Sequence, residues 1–393
     1  MINFSKIFDH PIYEVGGCVR DSLLKLPIKD VDLASSLTPQ EFKNLCRERR
    51  LKTFDTGIEH GTITVMIDKI PYEHTTFRKD VSCDGRNATV TFSKTIEEDL
   101  SRRDFTINAI ARLDDVMIDP FDGRHDLTKR LLRTVGNAEE RFSEDYLRII
   151  RAARFKSRLK LTATDELLSA AQKLSPQILP HVSIERISDE FRKAQKHGAA
   201  FLEDAELLGF LKLILPITSE TNKEKWLLEV ERSQTLSELH FWAAILIEPF
   251  GSKAADKAAE FKLSRHICRG IDLLYIYGVV LEEALSPGAL RKLIISTKDY
   301  YADLKTYTSS VKNNPEVPLP NLESINKIES LVVASIRQPF IDGSFLKQAG
   351  LKPGPHFKLI IDQCGTEQAT GADCPAVEKL AAKLIQTYLE KDT

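Results

Sequence analysis

The stretch GGCVRDSLLKLPIKDVDLAS, residues 16–35, sets two glycines and an arginine ahead of two aspartates in the alternation Asp30-Val31-Asp32. The run YEV before it reads as a short strand entering the glycine turn. Gly16 and Gly17 let the backbone come close to a ligand and turn its N–H groups toward it. A helix starting just beyond, from about Asp21, adds its positive end, and Arg20 is placed to reach a phosphate. Val31 and Leu33 then alternate with Asp30 and Asp32, the pattern of a strand, which sends both carboxylates to one face. Two ionised carboxylates side by side repel unless a cation neutralises them. Magnesium suits that place, because it prefers oxygen ligands and keeps substrate phosphates in its shell. Taken singly, a Gly-Gly pair is a plain strand-to-helix turn and an Asp-x-Asp a solvated strand edge. Taken together, a phosphate-cradling turn followed by a metal-binding pair suggests nucleotidyl transfer.

The whole chain sets the bounds. Its 393 residues predict two or three domains. A hydrophobic fraction of 42% and a charged fraction of 28% are ordinary for a soluble globular protein. The net charge of −2 offers no global basic excess, so a nucleic-acid partner must be held by a local patch. The six cysteines form no CxxC pair, which predicts reduced thiols rather than a disulfide frame or a zinc site. The N-terminal sequence and the lack of a long apolar run predict neither a signal peptide nor a membrane span, and a cytoplasmic protein.

Along the chain the first third is mixed. TPQEFKNLCRERR opens on Thr38 with Glu41 three residues on, a capping box that predicts a helix. GTITVMI and ATVTFSK read as strands, and FRKDVSCDGRN between them as an exposed loop. From Thr95 the pattern turns helical and stays so almost to the end. Residues 313–321 read as a linker and 349–357 as a turn between helices. The fold class is α+β: a small α/β head on a long helical body.

Two further segments carry chemistry. In EEDLSRRDFTINAIA (97–111), Arg102 and Arg103 stand beside Asp104 at a predicted helix start. Asn108 lies at i+4 from Asp104, on the same face. Asp and Asn suit the hydroxyls of a ribose, and arginine suits a triphosphate. In RFSEDYLRIIRAARFKSRLK (141–160), Ser143 is the expected N-cap, with Glu144 and Asp145 in the first turn. Five arginines and two lysines oppose one Glu and one Asp there. Asp145 and Arg148, one turn apart, can present an acceptor and a donor to the pairing edge of a base and so select nucleotides without a nucleic-acid template.

These residues resemble the class II tRNA nucleotidyltransferases, the CCA-adding enzymes, and their poly(A) polymerase relatives. GGCVRD with DVDLAS looks like the first motif of that family, and RRDFTINAIA like the second. DPFDGRHDLTKRLLR (119–133) looks like the third, EDYLRIIRAARF the fourth, and ERISDEFRK (185–193) the fifth. Residues 200–393 resemble the family mainly in length, helicity and GLKPGPHFKLII. The resemblance implies a catalytic head at 1–137, a base-recognising neck at 138–200, and an elongated helical body and tail over 201–393 that bind the tRNA acceptor arm and elbow. It implies that Asp30 and Asp32 bind catalytic magnesium. Gly16, Gly17, Arg20, Arg151 and Arg154 would contact the triphosphate, and Arg103, Asp104 and Asn108 the ribose. Glu144, Asp145 and Arg148 would recognise cytosine and then adenine. Glu73 stands on a strand beside the aspartates. The implied activity is template-independent addition of CCA to tRNA from CTP and ATP, with release of pyrophosphate. The segment 77–95, with Arg86 near its tip, argues against an enzyme that adds only CC. Addition of A alone, poly(A) synthesis and non-catalytic tRNA binding are the alternatives. Arg291, Lys292 and Lys347 are the scattered basic residues available to RNA in the second half. His125-Asp126 reads as structural, and Cys18 as a small packing residue.

Overall fold

In a computed structural model the described residues are 3–58, 61–83, 88–217, 221–278, 286–312 and 322–389. The chain divides into two compact units, Met1–Ile217 and Thr218–Thr393. The first joins a mixed sheet to a group of helices, and the second is helical throughout its described elements.

The strands of the head are β1 (Tyr13–Val15), β2 (Asp32–Ser35), β3 (Lys52–Gly57), β4 (Thr62–Ile67), β5 (Ile70–Thr76), β6 (Arg78–Cys83), β7 (Ala88–Phe92), β8 (Ala111–Leu113) and β9 (Val116–Ile118), and two short strands, Leu131–Leu132 and Thr162–Ala163, pair separately in parallel. Seven of the nine form one sheet in the order β3-β4-β5-β2-β1-β8-β9. Only the β2–β5 pairing is parallel within it, and there Asp32 stands opposite Glu73. Alternation along β2 sends Leu33 to one layer and Ala34 to the other. Leu33 packs with Phe8, Phe42, Ile63 and Val65. Ala34 packs with Val15, Phe77, Leu100 and Val135. Asp32 shares the parity of Ala34, so it emerges where that second layer stops.

The helices are α1 (Phe4–Phe8), α2 (Gly17–Leu23), α3 (Pro39–Glu48), α4 (Ile96–Ser101), α5 (Gly123–Lys129), α6 (Ala138–Glu144), α7 (Leu147–Leu159), α8 (Asp165–Leu174), α9 (Ile178–His181), α10 (Ile184–Ala194) and α11 (Gly198–Leu207). The capping box of α3 forms as expected. Thr38 Oγ1 accepts from the Glu41 N–H, and the Glu41 carboxylate accepts from the Thr38 N–H at 2.8 Å. Each large apolar side chain buried beneath the sheet, such as Phe42 or Leu33, contributes about 1.5–3 kcal/mol.

Several expectations are corrected. The helix after the glycines starts at Gly17, not near Asp21, because Gly16 alone takes the unusual backbone (φ 74°) needed to leave the strand. Asp30 precedes β2 rather than lying in it. Strands β8 and β9 interrupt the region expected to be helical from Thr95, where Ala111 and Arg112 add to the β1 edge. FRKDVSCDGRN is not a loop along its length: β6 pairs with β7 as an antiparallel hairpin. Residues 84–87, with Arg86, and the linker at 313–321 lie outside the described residues.

In the second unit, Trp226, Trp242, Tyr307 and Phe261 are fully buried, and a separate cluster gathers Leu346, Ile360, Val377 and Ala381. Helix Gly343–Gln348 and helix Pro355–Ala369 are joined by a turn over 349–354, shorter than the expected 349–357 because the second helix already starts at Pro355. Arg291 is buried and paired with Asp362 at 3.2 Å, which corrects its selection as a residue open to RNA. Among the described residues no helix is long and apolar enough to cross a membrane. Cys18, Cys46, Cys268, Cys364 and Cys374 are free thiols.

Candidate active site

A cleft of about 720 Å³ opens in the first unit, lined from β1, β2, β5, α2, α4, α7 and α10. Its wall carries nine arginines against five carboxylates. That excess of four positive charges matches the charge of a nucleoside triphosphate rather than that of a neutral ligand.

On the sheet side stand the acids. Asp32 and Glu73 line the cleft from neighbouring strands. Asp30 is exposed just ahead of β2 and is absent from the lining. The Asp32 side chain reaches solvent across the mouth of the cleft, yet the surrounding protein still strips water from it. That desolvation, with Glu73 and Asp30 nearby, raises its pKa against the pull of Arg103. No ion pair joins Asp30, Asp32 or Glu73 to a described residue. Among the described residues, no three Asp, Glu, His or Cys side chains are arranged to hold a metal by themselves. Two or three unneutralised carboxylates fit a divalent ion that draws its other ligands from substrate phosphates and water.

The glycine turn lies next to them. The Gly16 N–H is already donated to the Ile110 carbonyl at 3.1 Å. A β-carbon at Gly16 would collide with Arg103 Nη1, so the glycine serves both its φ and the close approach of Arg103. Arg20 is buried beneath the turn. It donates to Asp21 at 2.8 Å and to Asn108 Oδ1 at 2.5 Å, and it rests over the Phe155 ring. Cys18 is buried and donates to the Val15 carbonyl, the packing role expected of it.

Asp104 and Asn108 meet, but not on one α-helix. Helix α4 has ended at Ser101, and Asn108 closes a 3₁₀ turn, Thr106–Asn108. Asn108 Nδ2 donates to Asp104 Oδ1 at 2.9 Å, and Arg151 grips Asp104 Oδ2 at 2.7 and 2.8 Å. Burial alone would raise the Asp104 pKa; Arg151 and the Asn108 hydrogen bond outweigh it and hold the carboxyl at about 2. Arg102 and Arg103 both pair with the buried Asp99.

The fourth segment is two helices, not one. Asn137 caps α6, and Ser143 lies inside it, so the expected cap at Ser143 is wrong. Asp145 breaks the chain with φ −155° and ψ 103°, and its Oδ1 accepts from the Leu147 N–H at the start of α7. The local hydrogen bond competes with helix continuation, as short polar side chains do. Asp145 Oδ2 accepts from Arg186 at 2.7 Å. Arg148 donates to Glu144 at 2.5 Å and to the carbonyls of Arg141 and Arg102. Arg154 is buried on Glu190 at 2.5 Å, and Arg158 pairs with Asp21 at 2.8 Å. The arginines therefore form no solvated helix face.

The cleft thus gathers every expected site residue except Asp30 and Glu144 on its lining, and Glu144 touches it through Arg148. Four participants were not singled out in the sequence: Asp21, Asp99, Arg186 and Glu190. Asp99 was legible at i+3 and i+4 from the two arginines. Arg186 and Glu190 sit in the quoted segment ERISDEFRK, one turn apart. Asp126 is buried and accepts from Thr106 and Arg133, a structural role, whereas His125 beside it is exposed.

The comparisons bear on this geometry. Residues 12–133 match the poly A polymerase head domain family. The CCA-adding enzyme of Lactobacillus gasseri is 36% identical over 370 residues, covering 89% of this chain and 87% of that protein. The CCA-adding enzyme of Streptococcus gordonii is 35% identical over 360 residues with the same coverage. Among solved structures, the Bacillus stearothermophilus CCA-adding enzyme in complex with CTP superimposes with a TM-score of 0.75 at 28% identity, over 97% of this chain and 95% of that one. The Thermotoga maritima CCA-adding enzyme complexed with tRNA shares the fold, with a TM-score of 0.66 at 20% identity over 97% and 93% of the two chains. With its head, its cleft and relatives this similar over most of its length, the chain belongs to the CCA-adding enzyme family of nucleotidyltransferases.

Proposed function

We propose that the protein adds CCA to the 3′ end of tRNA from CTP and ATP, releasing pyrophosphate at each step. The observation that carries this reading is the single cleft in which Asp145 and Arg148 stand opposite an unneutralised pair of strand carboxylates, with arginines between them. The relatives at 35–36% identity, all named as CCA-adding enzymes, support it.

In this reading Asp30 and Asp32, with Glu73 beside them, hold a divalent ion that we take to be magnesium. When bound, it supplies positive charge at the reacting phosphate and the attacking hydroxyl. Gly16 and Gly17 shape the turn over the triphosphate. Arg20, Arg151 and Arg154 surround its charge, and Arg103, Asp104 and Asn108 face the ribose. The tRNA 3′-hydroxyl attacks the α-phosphate and pyrophosphate leaves; no covalent enzyme intermediate is involved. Cytosine and adenine share an amino group beside a ring-nitrogen acceptor on their pairing edges. Asp145 accepts from the first and Arg148 donates to the second. Uracil and guanine place an oxygen where the amino group stands, and the Asp145 carboxylate opposes it. Glu144 holds Arg148 in place.

Residues 1–137 then act as the catalytic head and 138–200 as the base-reading neck. Residues 201–393 hold the acceptor arm and elbow of tRNA through backbone and shape contacts, which weaken with salt. The cytoplasm, where tRNA is matured, is the compartment this activity calls for. The test uses three tRNA transcripts: one ending before CCA, one ending in CC and one complete. Each is offered CTP, ATP or both, with magnesium. Growth of the first by three nucleotides and then arrest is the expected result. Extension of the CC-ended transcript alone would mean A addition only, long adenylate tails would mean poly(A) synthesis, and no product would mean a binding protein.

A further inference from the structure

We infer that Arg186 is a positioning residue for base selection: it fixes the Asp145 carboxylate in the orientation that accepts the amino group of the incoming base. The inference rests on the proposed nucleotide-reading role of Asp145. Asp145 lies at a break between two helices, where nothing in the helix geometry itself restrains its side chain. Two hydrogen bonds do. The Leu147 N–H takes Oδ1 at 3.1 Å, and Arg186 Nη2 takes Oδ2 at 2.7 Å. The first comes from the following helix and moves with Asp145. The second crosses from α10, so it alone ties the carboxylate to an independent element.

That element is itself anchored. One turn beyond Arg186, the buried Glu190 of α10 binds Arg154 of α7 at 2.5 Å and approaches Arg151 at 3.8 Å. Helix α10 thus grips α7 at Glu190 and aims Arg186 at Asp145, two residues ahead of α7. Arg148 has matching supports, from Glu144 and from the Arg102 carbonyl at the end of α4. Each of the two base-reading side chains is therefore held from outside its own turn.

The bond count leaves room for a base. A carboxylate offers about four acceptor positions. Arg186 and Leu147 occupy one on each oxygen, so each keeps another for an amino hydrogen. Arg186 also lines the cleft, and its Nη1 is buried with no hydrogen-bond partner. The guanidinium is thus held beside Asp145 without being saturated by protein. A lysine would keep the charge but lose the planar fork that sets the carboxylate angle.

The test compares CMP addition from CTP with misincorporation from UTP on a transcript lacking CCA. Arg186→Ala is expected to lower the CTP-over-UTP preference in kcat/KM by about 10- to 100-fold, the scale of one hydrogen bond to a charged group. The loss should appear in KM, with kcat within about threefold of wild type, and Arg186→Lys should recover part of it. Asp145→Ala should lower the preference similarly, and the double variant should lose no more than Asp145→Ala alone. Unchanged preference in a folded Arg186→Ala protein, additive losses in the double variant, or a fall in kcat with preference kept would each overturn the inference. Thermal denaturation identifies a variant that has not folded, and Arg186→Gln, which is closer in size, then replaces it. Equilibrium binding of CTP and UTP separates this inference from the proposed reaction. A wild type that binds CTP in preference to UTP but adds nothing would defeat the reaction, while loss of that preference in Arg186→Ala would still uphold Arg186.

Discussion

On the sheet side of the cleft, Asp32 faces Glu73 across a parallel strand pair with no described cation in ion-pair range. On the helix side, Asp104 is gripped twice by Arg151 and once by Asn108, and Arg148 makes three hydrogen bonds. The difference follows from what each side has to do. In the proposed reaction the carboxylates that receive a cation must stay free of protein partners, and the fold leaves Asp32 at the cleft mouth with no cation paired to it among the described residues. The groups that meet the base and the ribose in that reaction must hold one geometry, and the fold braces them with partners of its own. The desolvation of Asp32 raises its pKa, whereas the partners of Asp104 lower its pKa.

Substitutions can break this contrast or sharpen it. Asp30→Ala and Asp32→Ala should cost the greatest activity, on the order of 10²–10³-fold or more in kcat, the scale of removing one electrostatic contact to the reacting centre. Binding of tRNA in a filter assay should be unchanged, since neither residue braces the fold; near-wild-type turnover would end the metal-holding role. Asp104→Ala should act the other way, on stability first. It leaves the Arg151 charge without its partner and should cost about 3–5 kcal/mol in urea denaturation. A variant as stable as wild type would show that the helix side is not held by its ion pairs.

Arg148→Ala should change choice more than rate. The preference for CTP and ATP over UTP and GTP should fall by about 10-fold, the worth of one charged hydrogen bond. An equal fall for all four nucleotides would exclude base reading. Gly16→Ala places a β-carbon at φ 74° against Arg103 and should destabilise the protein by about 1–3 kcal/mol. A further effect concerns pH. His74 is buried behind Glu73, bonded to Ser35 at 2.8 Å and stacked on Phe42. Burial lowers its pKa from 6.5 to about 3. Between those values the unfolded chain binds a proton that the folded chain does not, so stability should fall as pH drops from about 6.5 toward 3. His74→Gln should flatten that slope. The Asp104 contribution has its own window: it is present above about pH 3.8 and is lost as pH falls toward 2.

The sequence made the chemistry more legible than the path of the backbone. Thr38 with Glu41 and the β-branched runs are local signals, and the elements they predicted formed; the Asp-x-Asp alternation predicted β2 but placed its start two residues early. The break at Asp145 was not legible, because the same residues carry a strong helical pattern and only the Leu147 hydrogen bond interrupts it. Strand β8 was missed because its partner β1 lies about a hundred residues earlier in the chain, and such long-range pairing overrides local propensity; β9 then pairs on β8. Arg186 and Glu190 were quoted but left without roles, since their partners Asp145 and Arg154 become visible only when α10 packs on α7. Arg291 looked like a surface cation, and its burial against Asp362 is set wholly by tertiary packing.

The central claim is that one cleft in the first unit serves both nucleotides. Calorimetric titration of the whole protein with CTP in the presence of magnesium, repeated with ATP present, tests it most directly. One nucleotide bound per chain, displaced competitively by the other and weakened for both by Asp145→Ala, is the predicted result. Simultaneous binding of CTP and ATP to one chain would contradict it.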